Sequence, residues 1–315
     1  MTENFDVIIV GGGPAGLAAG LYAARMNLKT VLVERGPLGG QLLNTELIED
    51  YPGFESILGG ELAVKMGDHA KKFGLDVREF EPVAEINVDG EDRVVRLESG
   101  TEMRAAAVIM AAGGLPRKLD VPGEVEYAGR GVSYCAVCDG AFFKGQDLAV
   151  VGGGDAALEE ADFLTRYASK VHIIHRRDSF RAQPILQDRA RANSKIDFVL
   201  DAQVKEIVGN GKVEKVVYES KGKPVEVPVG GVFIFVGFLP NSDILKVHFD
   251  HDAFGYIKTD REMRTSVAGI WAVGDVREQL TKQIATAVGD GTTAAVSASA
   301  YVESVRDRKR SAVNA

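Results

Sequence analysis

Short apolar runs closed by glycine recur along the chain. Val7-Ile8-Ile9-Val10 runs into Gly11-Gly12-Gly13, and Leu148-Ala149-Val150-Val151 runs into Gly152-Gly153-Gly154. A continuous apolar run of this length, bounded by a turn, reads as a buried strand of a parallel sheet. Each is followed by a stretch of helical periodicity, residues 14–26 and 155–167, and then by a second apolar run, residues 30–33 and 171–174. The two copies keep a constant offset of 141 residues, so each is a βαβ unit and the chain contains an internal repeat. A second pair of segments matches at an offset of 124, Val108-Ile109-Met110-Ala111-Ala112-Gly113-Gly114-Leu115-Pro116 against Val232-Phe233-Ile234-Phe235-Val236-Gly237-Phe238-Leu239-Pro240. The proline ending each segment marks where the chain leaves that sheet.

These repeats predict a nested arrangement. One domain comprises residues 1–116 and 242–315, and a second, residues 117–241, is inserted into it. Alternating runs at 92–97 and 213–218, bounded by Gly and Asp, predict antiparallel hairpins. Residues 283–302 carry an alanine-rich apolar face and predict a packed helix. The charged stretch Arg306-Asp307-Arg308-Lys309-Arg310 then reads as a solvated, frayed end.

Composition narrows the function classes. With 315 residues, 45% of them apolar and 26% charged, the chain has the make-up of an ordinary globular protein of about two domains. The net charge of -8 repels phosphate backbones and argues against a nucleic-acid partner. No apolar stretch has the length of a membrane span, and the start of the chain lacks the features of a signal peptide. The 36 glycines, several in tight clusters, imply close backbone approach in more than one place. Both cysteines lie in one C-x-x-C, which leaves no disulfide framework, and a cytoplasmic location is expected.

Gly11-Gly12-Gly13-Pro14-Ala15-Gly16 is a G-x-G-x-x-G set between an apolar strand and a helix, the context that a dinucleotide fingerprint requires. The glycines let backbone N–H groups and the helix N-terminus meet a pyrophosphate. Glu34, at the end of the second strand, supplies an acid for ribose hydroxyls. The second copy, Gly152-Gly153-Gly154-Asp155-Ala156-Ala157, keeps a small residue in the last slot. The position equivalent to Glu34 is His175, followed by Arg176, Arg177 and Arg181. Guanidinium forks in place of a carboxylate suit a phosphomonoester dianion. The first site therefore reads as one for FAD or NAD and the second as one for NADPH. The fold class expected is α/β, with two Rossmann-like three-layer dinucleotide-binding domains, the NADPH domain inserted into the other.

Cys135-Ala136-Val137-Cys138 lies just before the second βαβ unit. Two thiols at this spacing can close and reopen a disulfide by two-electron chemistry, and no further metal ligand is adjacent in sequence. A structural zinc pair completed by distant histidines and an inert buried pair remain the alternatives. Asp139 is placed to move a proton during thiolate formation, or to cap a helix. Hydride donors reduce disulfides poorly and a flavin bridges the two chemistries, which selects FAD for the first site.

With these residues in view, nearly the whole chain resembles bacterial-type, low-molecular-weight thioredoxin reductases, flavoproteins of the pyridine nucleotide-disulfide oxidoreductase family. The resemblance rests on C-A-x-C-D-G at 135–140, H-R-R-x-x-F-R-A at 175–182, Ala272-Val273-Gly274-Asp275-Val276, and Gly39-Gly40-Gln41 followed by Tyr51-Pro52-Gly53. It implies NADPH-dependent reduction of the thioredoxin disulfide through FAD and the Cys135/Cys138 dithiol. Cys138 would face the flavin, Cys135 would attack the protein substrate, and Asp139 would donate a proton. The resemblance also implies that Gly11, Gly13, Pro14, Ala15, Gly16, Glu34, Arg35, Gly40, Gln41, Asp50, Gly113, Gly274, Asp275, Gln283 and Ile284 hold FAD. Asp275 would take the ribityl chain. Gly152, Gly154, Asp155, Ala156, His175, Arg176, Arg177 and Arg181 would hold NADPH. A homodimer, and a nucleotide domain that rotates about crossings near Arg117 and Asn241, are implied as well. The sequence departs from the family pattern at Asp50, usually Asn, at Ala112 and Phe238, and at Thr281-Lys282, where Tyr-Arg is common. Rival readings are a reductase of another disulfide protein, such as a glutaredoxin-like protein or a peroxiredoxin module, and a redox-sensing flavoprotein without turnover.

Overall fold

The computed structural model describes residues 2–45 and 47–313. The first apolar run forms β1 (Thr2–Val10), whose last four residues are buried because parallel strands flank it on both sides. Helix α1 (Pro14–Arg25) follows with proline in its first turn, where a missing N–H costs no intrahelical bond. Next come β2 (Thr30–Val33), a 3-10 turn at Gly40–Asn44, and the two-residue antiparallel pair β3 (Leu47–Ile48) and β4 (Ile57–Leu58). Helix α2 (Gly59–Lys72) and β5 (Asp76–Arg78) lead into β6 (Val83–Asp89), β7 (Asp92–Leu97) and β8 (Glu102–Met110). The chain then passes through β9 (Gly114–Pro116), β10 (Val132–Ser133), α3 (Ala136–Asp139), β11 (Asp147–Gly152), α4 (Asp155–Leu164), β12 (Lys170–Ile174), α5 (Pro184–Ala192) and β13 (Ile196–Val199). Three antiparallel strands follow, β14 (Ala202–Gly209), β15 (Val213–Ser220) and β16 (Lys223–Pro228). The last elements are β17 (Gly231–Phe235), β18 (Phe238–Pro240), β19 (Ile270–Ala272) and α6 (Ile284–Val313).

Two units result, one of Met1–Leu115 with Leu239–Ala315 and the other of Pro116–Phe238. In the first, a seven-stranded sheet runs β5-β2-β1-β8-β7-β6, with β19 beside the end of β8. Side chains alternate across it, as the strand period of two requires. Val7 and Ile9 face α1 and α6 with Leu17, Trp271, Ala294 and Val302, whereas Ile8 and Val10 face Met103, Leu245 and Ile257. In the second unit the sheet β10-β17-β11-β12-β13 is wholly parallel. Leu148 and Val150 pack against Leu158, Ala161 and Leu164 of α4, and Ala149 and Val151 face Val204, Ile207 and Val216 of the antiparallel sheet. The parallel strands of each sheet are thus covered on both faces, which explains why they read as unbroken apolar runs, while β6 and β7 pair antiparallel in the first.

One expectation fails at the end of the chain. The basic stretch after residue 302 is not frayed, because α6 continues through it to Val313. Val302 and Val305 are each 1% exposed and anchor the helix. Beyond them Arg306 pairs with Asp6 at 2.7 Å, Arg308 with Glu91 at 3.1 Å and Lys309 with Asp92 at 3.2 Å. Surface pairs of this kind contribute little singly, so the apolar anchor carries the stabilisation. Among the described residues no helix is long and apolar enough to cross a membrane.

Candidate functional site

In the first unit the site is built at the carboxyl ends of β1, β2, β8 and β19, where open parallel sheets bind ligands. Gly11 leaves β1 with φ +110 and donates its N–H to Val33 O at 2.9 Å, which draws the glycine turn against the end of β2. Gly13 then stands at the N-terminus of α1 with no side chain capping it. A Cβ built there would meet only Gly40 Cα, at 3.9 Å, so the backbone faces open space above the first helical turn. That is the cradle a pyrophosphate needs, with free helix N–H groups and no side chain in the way. Pro14, Ala15 and Gly16 form the start of α1.

Glu34 does more than its position at the strand end suggests. One carboxylate oxygen accepts the Gly12 N–H at 2.6 Å and the other the Gly36 N–H at 3.0 Å, so the acid locks the loop while each oxygen keeps acceptor capacity. Arg35 beside it is exposed. Gly40 and Gln41 start the 3-10 turn, and Gln41 accepts from the Asn44 amide at 3.0 Å. Asp50 is exposed in the bend after β3. The excursion that carries these residues is pinned by Leu42, Ile48, Ile57 and Leu62, against which Tyr51 and Ile284 pack. Gly113, at φ +57, accepts the Asn241 N–H at 3.0 Å.

Gly274 and Asp275 follow β19. Burial raises the Asp275 carboxyl above the ordinary range, with Lys282 opposing the rise and Asp290 adding to it, and no hydrogen bond holds this side chain among the described residues. It is a carboxyl placed to receive hydroxyl donors. One partner here escapes sequence reasoning, and another, Lys282, shows in the sequence only as a departure from the family pattern. Asp290, on α6 and 8% exposed, accepts the Gly274 N–H at 3.1 Å and pairs with Arg277 at 3.1 Å. The only signal for it is a lone acid on an alanine-rich helical face. The Lys282 ammonium lies 3.7 Å from the centroid of the Tyr256 ring and donates to Asp275 O at 2.8 Å. Burial lowers the Lys282 pKa, and the Asp275 and Asp252 charges counter that effect while Arg277 adds to it. Gln283 donates its N–H to the Thr286 hydroxyl at 3.1 Å just before α6 begins.

The second unit repeats the glycine cradle. Gly154 is the uncapped N-cap of α4, and a Cβ built on it meets nothing within 4 Å. Gly152 admits no side chain, since its Cβ would lie 2.6 Å from Ala157 Cβ, which also accounts for alanine in the last motif slot. His175 lies beneath this turn, 6% exposed, with its ring 2.3 Å from the Cβ that Gly153 lacks and its centroid 5.4 Å from that of Phe180. Burial is the main cause that lowers the His175 pKa; backbone hydrogen bonds with Ser179 and Gly152 oppose it and the Arg181 and Arg177 charges add to it, so the ring is neutral near pH 7. Asp155 is held by Gln183, whose backbone N–H and side-chain amide donate to the two carboxylate oxygens at 2.8 and 3.0 Å. Ala156 is exposed in the first turn. Arg181 donates its N–H to Gly153 O at 2.8 Å, and the Arg177 carbonyl accepts the Asp201 N–H at 3.1 Å. The loop that carries the arginines is therefore tied to the glycine turn. The side chains of Arg176, Arg177 and Arg181 are exposed and form no ion pair among the described residues.

Between β10 and β11 the two cysteines form a disulfide, Cys135–Cys138, with Cα atoms 5.3 Å apart. Cys135 is the N-cap of α3, and its sulfur accepts the Cys138 N–H at 3.1 Å. Such a bond favours the thiolate over the thiol once the bridge is reduced. Cys138 is exposed and Cys135 half-buried. Asp139 ends α3 and stands at the N-cap of the 3-10 turn that follows, where its side chain makes no capping hydrogen bond. Gly140 seats the α3 turn on α4, with Leu164 Cδ2 3.0 Å from where its Cβ would be. Phe142, four residues past Cys138, is 77% exposed. Among the described residues no group of three or more His, Cys, Asp or Glu side chains is arranged to hold a metal ion.

Comparison with known proteins agrees with this chemistry. The family model for pyridine nucleotide-disulphide oxidoreductases matches residues 5–291. The chain is 52% identical over 306 residues to the thioredoxin reductase of Bacillus subtilis, covering 96% of each sequence. It is 50% identical to that of Listeria monocytogenes, with 96% of this chain and 95% of the relative covered. Among solved structures it is similar to the thioredoxin reductase of Lactococcus lactis, with a TM-score of 0.93 and 46% identity over 95% of this chain and 99% of that one.

Proposed function

The chain belongs to the pyridine nucleotide-disulphide oxidoreductase family, and from that premise we propose that it works as a thioredoxin-disulfide reductase, using NADPH as reductant and FAD as the resident cofactor. One observation carries the reading. The Cys135–Cys138 disulfide shares a compact unit with a second glycine cradle, and that cradle is followed by three exposed guanidiniums. A nicotinamide site with a phosphomonoester reader and a two-electron disulfide are thereby joined on one chain. A reductase of some other disulfide protein and a sensor without turnover are not favoured. The homodimer and the cytoplasmic location belong to the same proposal.

A bound flavin supplies the step between a hydride donor and a disulfide, which direct hydride transfer serves poorly. The protein's own residues do the rest. The cradle at Gly11–Gly16 and Glu34 hold the adenosine diphosphate portion of FAD, and Asp275 takes the ribityl hydroxyls. Arg176, Arg177 and Arg181 select the 2'-phosphate of NADPH, while His175 and Asp155 brace the loop that presents them. Once Cys135 and Cys138 are reduced, the Cys135 thiolate attacks one sulfur of the thioredoxin disulfide, and that S–S bond breaks to give a mixed disulfide and a thiolate on thioredoxin. Cys138 then attacks Cys135, which releases reduced thioredoxin and restores the internal bridge. Two protons are needed for the departing thiolates, and Asp139 delivers one. Phe142, 77% exposed and four residues past Cys138, gives the approaching protein an apolar contact.

The direct test is anaerobic. Two equivalents of NADPH, which supply two electrons to the flavin and two to the Cys135–Cys138 bridge, are expected to bleach the visible flavin band and to expose two new thiols, whereas NADH does so far more slowly. No flavin band, or a flavin that NADPH leaves oxidised, overturns the reading. A second expectation concerns Glu34. Glu34→Arg removes both loop anchors and sets a cation at the ribose position, so FAD affinity falls on the order of 10-fold or more. Flavin content after gel filtration measures this, and full occupancy in the variant refutes the ribose assignment.

A further inference from the structure

Glu124 is 1% exposed and plays no part in the chemistry above. One of its carboxylate oxygens accepts the Leu119 N–H at 2.9 Å and the Tyr134 hydroxyl at 2.7 Å, and the other accepts the Asp120 N–H at 2.7 Å. No cation pairs with it among the described residues. An acceptor-only group facing three donors is satisfied without one. Tyr134 stays a donor, because burial, followed by the hydrogen bond and charge of Glu124 and the charge of Asp120, raises its phenol pKa far above the ordinary range. The next residue is Cys135. Its N–H donates to the Ser133 hydroxyl at 3.0 Å, and that hydroxyl donates to the Cys135 carbonyl at 3.2 Å. Tyr134 is thus fixed through its side chain by Glu124, while the backbone on its far side is fixed by Ser133.

We propose that Glu124 is a positioning residue of the redox pair, holding Tyr134 and with it the Cys135 backbone in the register at which the bridge to Cys138 closes. The proposal rests on the reading of Cys135 and Cys138 as a redox dithiol. Closure of a disulfide depends on how often the reduced chain brings its two sulfurs together, so a rigid frame favours the oxidised form and a loosened one favours the dithiol.

The experiment equilibrates the flavin-loaded, full-length protein with dithiothreitol and its cyclic disulfide, quenches by alkylation and counts cysteine thiols. Two electrons and two protons pass from dithiothreitol to the Cys135–Cys138 bridge, giving two thiols and the cyclic disulfide. Glu124→Gln and Tyr134→Phe are each expected to shift this equilibrium about 10-fold toward the dithiol, or about 30 mV for a two-electron couple. Tyr127→Phe is the control, since its hydroxyl donates to Gly209 O at 2.8 Å within the same unit but holds no residue of the bridge. If Glu124→Gln does not fold, Tyr134→Phe alone decides. An unchanged equilibrium in Tyr134→Phe, or an equal shift in Tyr127→Phe, overturns the proposal. If dithiothreitol fails to open the wild-type bridge, the redox reading itself fails, so the two failures are distinguishable.

Discussion

Replacing Cys138 with serine is expected to leave an enzyme whose flavin is still bleached by NADPH but which reduces thioredoxin on the order of 10³-fold more slowly or worse. Both nucleotide cradles are assembled from other residues, so nothing that binds or positions FAD or NADPH is touched. What is lost is the second sulfur. Cys135 alone can open a partner disulfide once, yet no neighbouring thiolate remains to resolve the mixed disulfide, and effects of groups that act as a unit are close to all-or-none. Three readouts separate this outcome from simple damage. Anaerobic flavin reduction stays at the wild-type rate, a covalent complex with thioredoxin accumulates and can be trapped, and thermal unfolding matches that of the reduced wild type. Retained multiple turnover in Cys138→Ser removes the dithiol from the mechanism.

The arginine loop gives the next largest effect. Arg176→Ala combined with Arg181→Ala is expected to raise the KM for NADPH on the order of 10²-fold and to change that for NADH by less than about 2-fold. Each guanidinium offers a charge-assisted fork to a dianion, and removal of both forks at once accounts for that ratio. The side chains are exposed and without ion pairs among the described residues, so their removal leaves no buried group stranded and the fold is unaffected. The loop itself stays in place, because its attachment runs through the Arg181 N–H to Gly153 O and through Asp155 to Gln183, not through the guanidiniums. Steady-state kinetics with both nucleotides, at fixed ionic strength to hold screening constant, measure the discrimination. Equal losses for NADPH and NADH exclude these residues as readers of the 2'-phosphate.

Much of this architecture is legible from local pattern alone. Val7–Val10 and Leu148–Val151 are buried on both faces of a parallel sheet, and such strands must be apolar at every position, so they announce themselves in any sequence. The glycine triplets are equally readable, because a tight turn into a helix tolerates little else. Other residues look alike in sequence and prove different in space. His175 stands in series with the arginines at 176 and 177, yet it is turned inward beneath Gly153 while they face water. Asp155 stands in the glycine motif, yet its carboxylate is taken by Gln183, 28 residues away. Glu34 reads as a ribose acceptor, and in space it is also the clasp of its own loop.

The α/β class, the internal repeat, the two fingerprint loops and a C-x-x-C just ahead of a basic nucleotide site are thus readable from the order of residues alone. All of these depend on residue types at short, fixed spacings, where strand and helix periods and turn sterics act within one element. Which polar groups are engaged and which are left for a ligand is set by the three-dimensional packing. It set Asp290 on the Gly274 N–H, left the Asp275 carboxylate without a protein hydrogen bond among the described residues, buried Glu124 behind Tyr134 and carried α6 through the basic stretch to meet Asp6, Glu91 and Asp92. Hydrogen bonds and ion pairs require only that donor and acceptor meet within about 3 Å, whatever their separation along the chain. Arg308 and Glu91 are 217 residues apart, and no local period encodes their meeting.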